Sequence, residues 1–387
     1  MPVLNRAAEM HDEITAWRRE LHMNPELLFD VHETAGFVEK KLRAFGCDEV
    51  VTGLGRTGVV GVIRGRHGEG PAVGLRADMD ALPIMEATGL PYASKIPGKM
   101  HACGHDGHTA MLLGAAKYLC ETRNFKGSVA VIFQPAEEGG GGGREMVRDG
   151  LMERFSIAAV YGMHNMPGVP LGEFAIRPGA IMAATDEFEI TVTGKGGHAA
   201  LPHKSIDPVF IGSQIITALQ SIVSRNADPL EALVISTTQF HAGTANNVIP
   251  NSAELSGTVR TLTKDMRRFA QERITAVAIQ TAAAHGGEAQ VRYHSNYPVT
   301  YNHERETAFA ADIARRVAGE RKVNANVAPI MGGEDFSYML EARPGAFIFI
   351  GNGDTPFCHH PAFDFSDEII PLGVSYWVTL AETALGQ

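Results

Sequence analysis

The sequence predicts an α/β fold, a central sheet with helices on both faces, interrupted by an inserted βαββαβ unit. Three observations carry this. Up to about residue 165, near-continuous apolar runs such as VVGVIRG (59–65) and SVAVIFQP (128–135) alternate with helix-forming stretches, the pattern of strands buried on both faces. After Met182 the period changes: DEFEITVTGKGG (186–197) alternates apolar and polar, as a half-exposed strand does. At 387 residues the chain is also too long for one ordinary core.

Taken in order, residues 11–45 have helical periodicity with a break at Asn24-Pro25. Strands follow at 59–65, 72–83, 128–135 and 158–165, with the helix HTAMLLGAAKYLCE (108–121) between the second and third. The insertion reads as strand 186–197, helix 206–223 opened by Asp207-Pro208, strands 232–240 and 254–262, helix 264–285 and strand 288–294. That β-α-β-β-α-β order is the ferredoxin-like unit. Helix 304–318, strand 346–351 and helix 369–385 resume the first domain. The expected domains are therefore 1–184 with 297–387, and 185–296 inserted between them.

Net charge is −10, which argues against a nucleic-acid or anionic-membrane surface. The first twenty residues contain no apolar core of a signal peptide, and no apolar run reaches the ~18 residues of a membrane span. Four scattered cysteines read as thiols or ligands rather than a disulfide framework. The expectation is a cytoplasmic protein.

GLGRTG (53–58) matches a dinucleotide-binding pattern, but the next residues read as a strand where that motif must open a helix. A hairpin turn is expected there, and the GGGGG run (139–143) is expected to be a flexible loop.

HACGHDGH (101–108) concentrates metal-ligand types. In extended backbone, Cys103 and His105 would project to one face, and a thiolate with an imidazole suits zinc and related ions. The alternative is a buried thiol beside surface histidines. QPAEEG (134–139) closes a strand with Glu137 and Glu138. A turn there lets one carboxylate ligate and the other act as general base; otherwise the pair is a solvated acidic loop. His164 ends another strand, and FCHHPAFDF (357–365) adds His359 and His360.

With these segments in place the chain resembles the amidohydrolase branch of the aminoacylase/carboxypeptidase-like metallopeptidases, which includes hippurate hydrolases, N-acyl-amino-acid deacylases and auxin-conjugate hydrolases. The match is carried by RADMDALP (76–83), MHACGHDGH (100–108), QPAEEG (134–139), GMHN (162–165), GKGGHAALPH (194–203), NNVIP (246–250), GTVR (257–260), GGEDF (332–336) and HHPAFDF (359–365). The resemblance implies a zinc-peptidase-like catalytic domain and an inserted lid and dimerisation domain. It implies two divalent ions (zinc, manganese, cobalt or nickel) held by Cys103, His105, Glu138, His164 and His359. Glu137 falls on the catalytic carboxylate, and Asp80 and Asp106 become hydrogen-bonding partners that orient histidines. Asp78 stands where many relatives outside this branch have histidine, which leaves open the atom that bridges the metals.

In similar proteins the histidine of GKGGHAA, here His198, supplies an oxyanion donor; Asn247 and Arg260 sit on the same insertion and are expected to hold a substrate carboxylate, Arg260 in a bidentate pair. For Arg260 a sheet-face charge paired with a glutamate is the alternative. The implied activity is metal-dependent hydrolysis of N-acyl amino acids by a homodimer, with no nucleic-acid or membrane partner. A dipeptidase or carboxypeptidase with the same centre, or a non-catalytic metal-binding protein, are the competing readings.

Overall fold

The computed structural model describes residues 3–386. The chain folds as two compact units, one of residues 1–181, 300–328 and 335–387, the other of 182–299 and 329–334. The short stretch Pro329–Glu334 thus joins the second unit, although its sequence gives no periodic signal of that.

The first unit is built on an eight-stranded sheet in the order Glu49–Leu54, Gly58–Arg64, Ser128–Gln134, Ala72–Asp78, Ile157–Pro167, Gly345–Gly353, Phe174–Ala175, Val323–Asn324. The four central strands run parallel, with Asp78 opposite Gln134, Leu75 opposite Tyr161 and Phe349 opposite His164. Their carboxyl ends therefore share one edge, the edge where open α/β sheets collect their chemistry. The fold class read from the sequence is the observed one. Helices cover both faces, which the alternation of one strand demonstrates. A methyl group on Gly58 would meet Met146 of the Gly142–Arg148 helix, and one on Gly61, three residues on and so facing the other way, would meet Leu42 of the His32–Phe45 helix. The His105–Thr122 helix is buried along most of its length, and Gly114 lets it approach Ile14 and Val374.

The GLGRTG stretch is the expected hairpin: Glu49–Leu54 pairs antiparallel with Gly58–Arg64. The GGGGG run departs from expectation. Its second half opens the Gly142–Arg148 helix behind a left-handed Gly141, and it is tightly packed. A Cβ on Gly142 would lie 1.7 Å from the Pro135 carbonyl oxygen, and the Gly143 amide donates to Asp335 at 2.8 Å. Glycine serves close approach here, not mobility.

The second unit is a four-stranded antiparallel sheet in the order Leu233–Ala242, Ser252–Thr261, Ala184–Thr193, Glu288–Ser295. Two helices, Pro208–Ser221 and Lys264–Ala284, pack on it through Ile211, Ile215, Leu219, Ala270, Ile274 and Ala278. Asp207 caps the first by accepting from the Val209 and Phe210 amides, with Pro208 in the first turn. Thr263 caps the second. Strand 184–193 alternates buried and accessible residues as its pattern predicts. No helix among the described residues is long and apolar enough to cross a membrane.

Candidate metal centre

At the shared carboxyl edge, side chains from four separated segments converge. Donor atoms of Cys103, His105 and His164 lie within 4.8 Å of one another, as do those of Cys103, Glu138 and His359, and those of His105, Glu137 and Glu138. Cys103, His105 and Glu138 each belong to two of these groups and so link the three into one cluster. Cys103 Sγ is 3.3 Å from His164 Nε2, and Glu138 Oε1 is 3.3 Å from His359 Nε2 and 4.0 Å from His105 Nε2.

Three of the four segments are bent into place by a local device, while His164 rides on the Ile157–Pro167 strand. Cys103 and His105 are not on extended backbone, which corrects the sequence-based expectation. Gly104 turns the chain at φ 90°, and His105 is the first residue of the His105–Thr122 helix. A Cβ on Gly104 would fall 2.1 Å from Asn165 Oδ1, so no other residue fits this turn unshifted. Ala136 adopts φ 54° just after the Ser128–Gln134 strand, which ends the strand's alternation. Both Glu137 and Glu138 then reach His105. The Asp80 carboxylate secures this turn, accepting from the Glu137 amide at 2.9 Å and the Glu138 amide at 3.1 Å. His359 also sits in the left-handed region, at φ 69°, with its amide donating to the Ala102 carbonyl at 2.7 Å. Non-glycine residues held there store about 1–3 kcal/mol of strain, which clusters at working sites.

The histidines are fixed in tautomer. His105 Nδ1 lies 2.7 Å from the Asp80 carbonyl, and His164 Nδ1 lies 2.5 Å from the Asn165 carbonyl. Because a carbonyl only accepts, both Nδ1 atoms must donate, which turns each Nε2 toward the cluster. His105 Nε2 and Glu138 Oε1 are buried and make no hydrogen bond.

The electrostatics favour a cation. Burial opposes the charged form of His105, yet Asp78, Asp80 and Glu138 together push it up to about 10. His164, buried beside His108, is held well below the usual imidazole range and stays neutral, as a ligand must. Burial raises Glu138, but His359 and His105 hold it below the ordinary carboxylate range. Cys103 is pushed up by the neighbouring Cys358 thiol, by burial and by the neighbouring glutamates; a divalent cation held there would favour its thiolate instead. Orphaned buried donors, neutral or thiol ligands and an excess of carboxylates make a set that fits divalent metal.

Two details were not legible in the sequence. Asp106 does not orient a histidine of the cluster. It accepts from His22 Nδ1 and Arg18 Nε, both at 2.8 Å, in a fully buried network. His108 bridges Asp78 and Asn165, each at 2.7 Å. Neither His22 nor Arg18 stands out in its helix, since both occur in an amphipathic stretch that reads as surface.

The residues picked from the second unit are described within it alone. His198 pairs in register with Val248, and the Ala199 amide donates to the Asn247 carbonyl at 3.0 Å, so His198 and Asn247 are neighbours. Arg260 is on the Ser252–Thr261 strand, opposite Val234 and Thr185, and donates to the Val259 carbonyl at 3.0 Å. Burial lowers its pKa, against the pull of Asp186 and Glu187.

The whole chain has known relatives. A hippurate hydrolase of Campylobacter jejuni is 42% identical over 381 residues, covering 98% of this chain and 99% of the relative. An N-acetylcysteine deacetylase of Bacillus subtilis is 42% identical over 380 residues, 97% of each chain. The crystal structure of a Bacillus subtilis dinuclear metal binding peptidase from the M20 family has a TM-score of 0.85 at 38% identity, over 98% of this chain and 99% of that one. Residues 74–383 match the family itself. The chain is a hydrolase of peptidase family M20/M25/M40.

Proposed function

We propose that this chain is a metal-dependent amidohydrolase that cleaves N-acyl amino acids to a carboxylic acid and an amino acid. The observation that carries the reading is the convergence of Cys103, His105, Glu138, His164 and His359, with the buried His105 Nε2 and Glu138 Oε1 lacking any hydrogen bond. These five residues would hold two divalent cations. Bound there, such ions supply Lewis acidity toward water and toward the scissile carbonyl. Zinc, manganese, cobalt and nickel all suit this mixture of thiolate, imidazole and carboxylate.

Glu137 is the general base. It is buried at 7% exposure and is a neighbour of His105 and Glu138. It takes a proton from the attacking water as the new C–O bond forms, then returns that proton to the amine nitrogen as the C–N bond breaks. Asp80 acts through Glu137: its carboxylate fixes the backbone on which the base is carried. His105 and His164 are held by their Nδ1 donors so that neither can rotate out of the cluster.

For the second unit, the motif resemblance assigns His198 to the developing oxyanion and assigns this unit the lid and the dimer contact, and Asn247 and Arg260, carried on the same insertion, are our candidates for the substrate carboxylate. The relatives named for hippurate and N-acetylcysteine support an N-acyl amino acid substrate. The test is a side-by-side assay of hippurate, N-acetyl amino acids and dipeptides on protein whose metal content has been measured. Turnover of the acyl amino acids is the expected result. Turnover of dipeptides alone replaces this reading with a dipeptidase.

A further inference from the structure

Two sulfurs outside the candidate metal centre touch. Cys47 Sγ lies 3.6 Å from Cys120 Sγ, across 73 positions of sequence, and both are unbridged thiols. Both belong to the first unit. Neither is a member of a donor group that could hold a cation.

The backbone is fixed on each side of the contact. Cys47 follows the His32–Phe45 helix, where Gly46 turns left-handed at φ 84°. The Gly46 amide donates to the Arg43 carbonyl at 3.1 Å, and the Cys47 amide donates to the Leu42 carbonyl at 3.2 Å. These bonds close the helix end and set where Cys47 leaves it. Cys120 lies in the last turn of the His105–Thr122 helix, and Arg123 ends that helix. The Arg123 guanidinium donates to the Gly46 carbonyl and to the Asp48 carboxylate, each at 2.7 Å. One side chain thus staples both neighbours of Cys47 to the helix that carries Cys120.

The two thiols share their protons unequally. The hydrogen bond with Cys47 holds Cys120 below the ordinary thiol range; burial opposes this and Arg123 adds to it. The same hydrogen bond, with burial, pushes Cys47 up. Cys120 is therefore the sulfur that ionises, and the thiolate is the nucleophile. It keeps 9% of its surface, which admits a small hydroperoxide rather than a bulky disulfide.

We infer that Cys47 and Cys120 are a modification site, a dithiol that hydrogen peroxide converts to a reversible disulfide. That bond clamps the lead into the edge strand Glu49–Leu54 to the helix whose other end carries His105. In the first step the Cys120 thiolate attacks one peroxide oxygen. The S–O bond forms, the O–O bond breaks, and the departing hydroxide takes up a proton and leaves as water. Cys120 is then a sulfenic acid. In the second step the Cys47 sulfur attacks the Cys120 sulfur. The S–S bond forms, the S–O bond breaks, and the leaving hydroxide departs as water with the Cys47 proton. Two thiols and one hydrogen peroxide give one disulfide and two waters, with two electrons passing from sulfur to peroxide oxygen. An added dithiol reverses the bond by exchange.

The test uses the full chain, reduced and then freed of reductant. Hydrogen peroxide is added stepwise, remaining thiols are blocked with N-ethylmaleimide, and the digest is mapped by mass spectrometry without reduction. The expected result is a peptide linking Cys47 to Cys120, two hydrogens lighter than its separate thiol peptides. Both alkylation sites disappear together and return with dithiothreitol. The thermal midpoint of the linked protein rises by about 5 °C, because the bond restricts the unfolded chain. With dimedone present to trap sulfenic acid, Cys47→Ser is labelled at Cys120, while Cys120→Ser is unlabelled at Cys47. Arg123→Gln, which removes both the staple and its charge, forms the link more slowly. A map without the Cys47–Cys120 link, or with these sulfurs joined only between copies, overturns the pair. Dimedone on Cys47 in Cys120→Ser overturns the order of attack, and a midpoint that does not rise overturns the clamp. The map is made on the unmutated chain, so it decides the bond even where a variant fails to fold. Neither sulfur enters the metal-ligand assignment, so the result stands apart from that reading.

Discussion

The Asp80 carboxylate accepts from the backbone amide of Glu137 at 2.9 Å, and its other oxygen accepts from the next amide at 3.1 Å. One buried side chain thus shapes the turn that carries both glutamates. Burial lifts this carboxyl above its ordinary range. Asp80→Ala removes the acceptor that both amides share and lets the turn relax. Turnover is expected to fall about 10–100-fold, the range for supporting residues of metal sites. Steady-state kinetics beside metal analysis checks this; unchanged kcat removes Asp80 from its positioning role.

Glu137→Gln keeps the size of the side chain and removes the base. The expected loss in kcat is roughly 10²–10⁴-fold, the usual contribution of a positioned general base. Bound metal and thermal midpoint should stay near wild type, since the five proposed ligands are untouched. A variant that hydrolyses hippurate at the parental rate contradicts the assignment.

Gly104→Ala is expected to destabilise the first unit. The new methyl group meets Asn165 Oδ1 at 2.1 Å, and the backbone is already at φ 90°. The backbone strain alone is about 1–3 kcal/mol, and displacing Asn165 disturbs the carbonyl that orients His164. Urea denaturation reads the loss of stability, and metal titration reads the loss of affinity.

Stability should decline on the alkaline side through His22. Burial and the Arg18 guanidinium oppose its charge, but Asp106 and Glu86 outweigh them and push it up to about 9; His101 packs nearby. A histidine with a raised folded-state pKa binds more protons folded than unfolded. Its stabilisation is therefore complete below about pH 6.5 and is lost as pH rises through 9. The upper bound is roughly 3 kcal/mol. Denaturation midpoints measured from pH 6 to 10 should fall in the wild type more steeply than in His22→Gln.

Prolonged dialysis against a chelator should abolish hydrolysis and lower the thermal midpoint together. A ligand at a hundredfold excess over its Kd stabilises by about 2.7 kcal/mol per site. Re-addition of Zn2+ or Mn2+ should restore both. Activity that survives verified metal removal ends the metal-dependent reading.

Five strands of the first unit were legible because burial on both faces leaves no polar alternation, and those of the second because one-sided burial does; Glu49–Leu54, mostly accessible, and the two-residue strands Phe174–Ala175 and Val323–Asn324 were not. The candidate donors were legible because thiol, imidazole and carboxylate stood at the ends of those runs. What could not be read was how each donor is aimed. Left-handed Ala136 and His359 carry no turn signature, since neither is glycine or asparagine. The partner of Asp106 lies 84 positions away at His22, and no local pattern encodes such a contact. The glycine run misled for a related reason: composition suggests mobility, whereas Gly142 and Gly143 are small because carbonyl and carboxylate oxygens crowd them.

The middle of the eight-stranded sheet sets a timetable for biosynthesis. Gly345–Gly353 docks beside Ile157–Pro167, yet the entire second unit is translated between those neighbours. A nascent chain emerging from the ribosome can form the ferredoxin-like unit as a local, self-contained event while its larger partner still lacks a central strand and His359. Such long-range closure is slow and leaves apolar edges open in the interim. On the proposed ligand set, which includes His359, the metal site can be completed only after this last strand has been made.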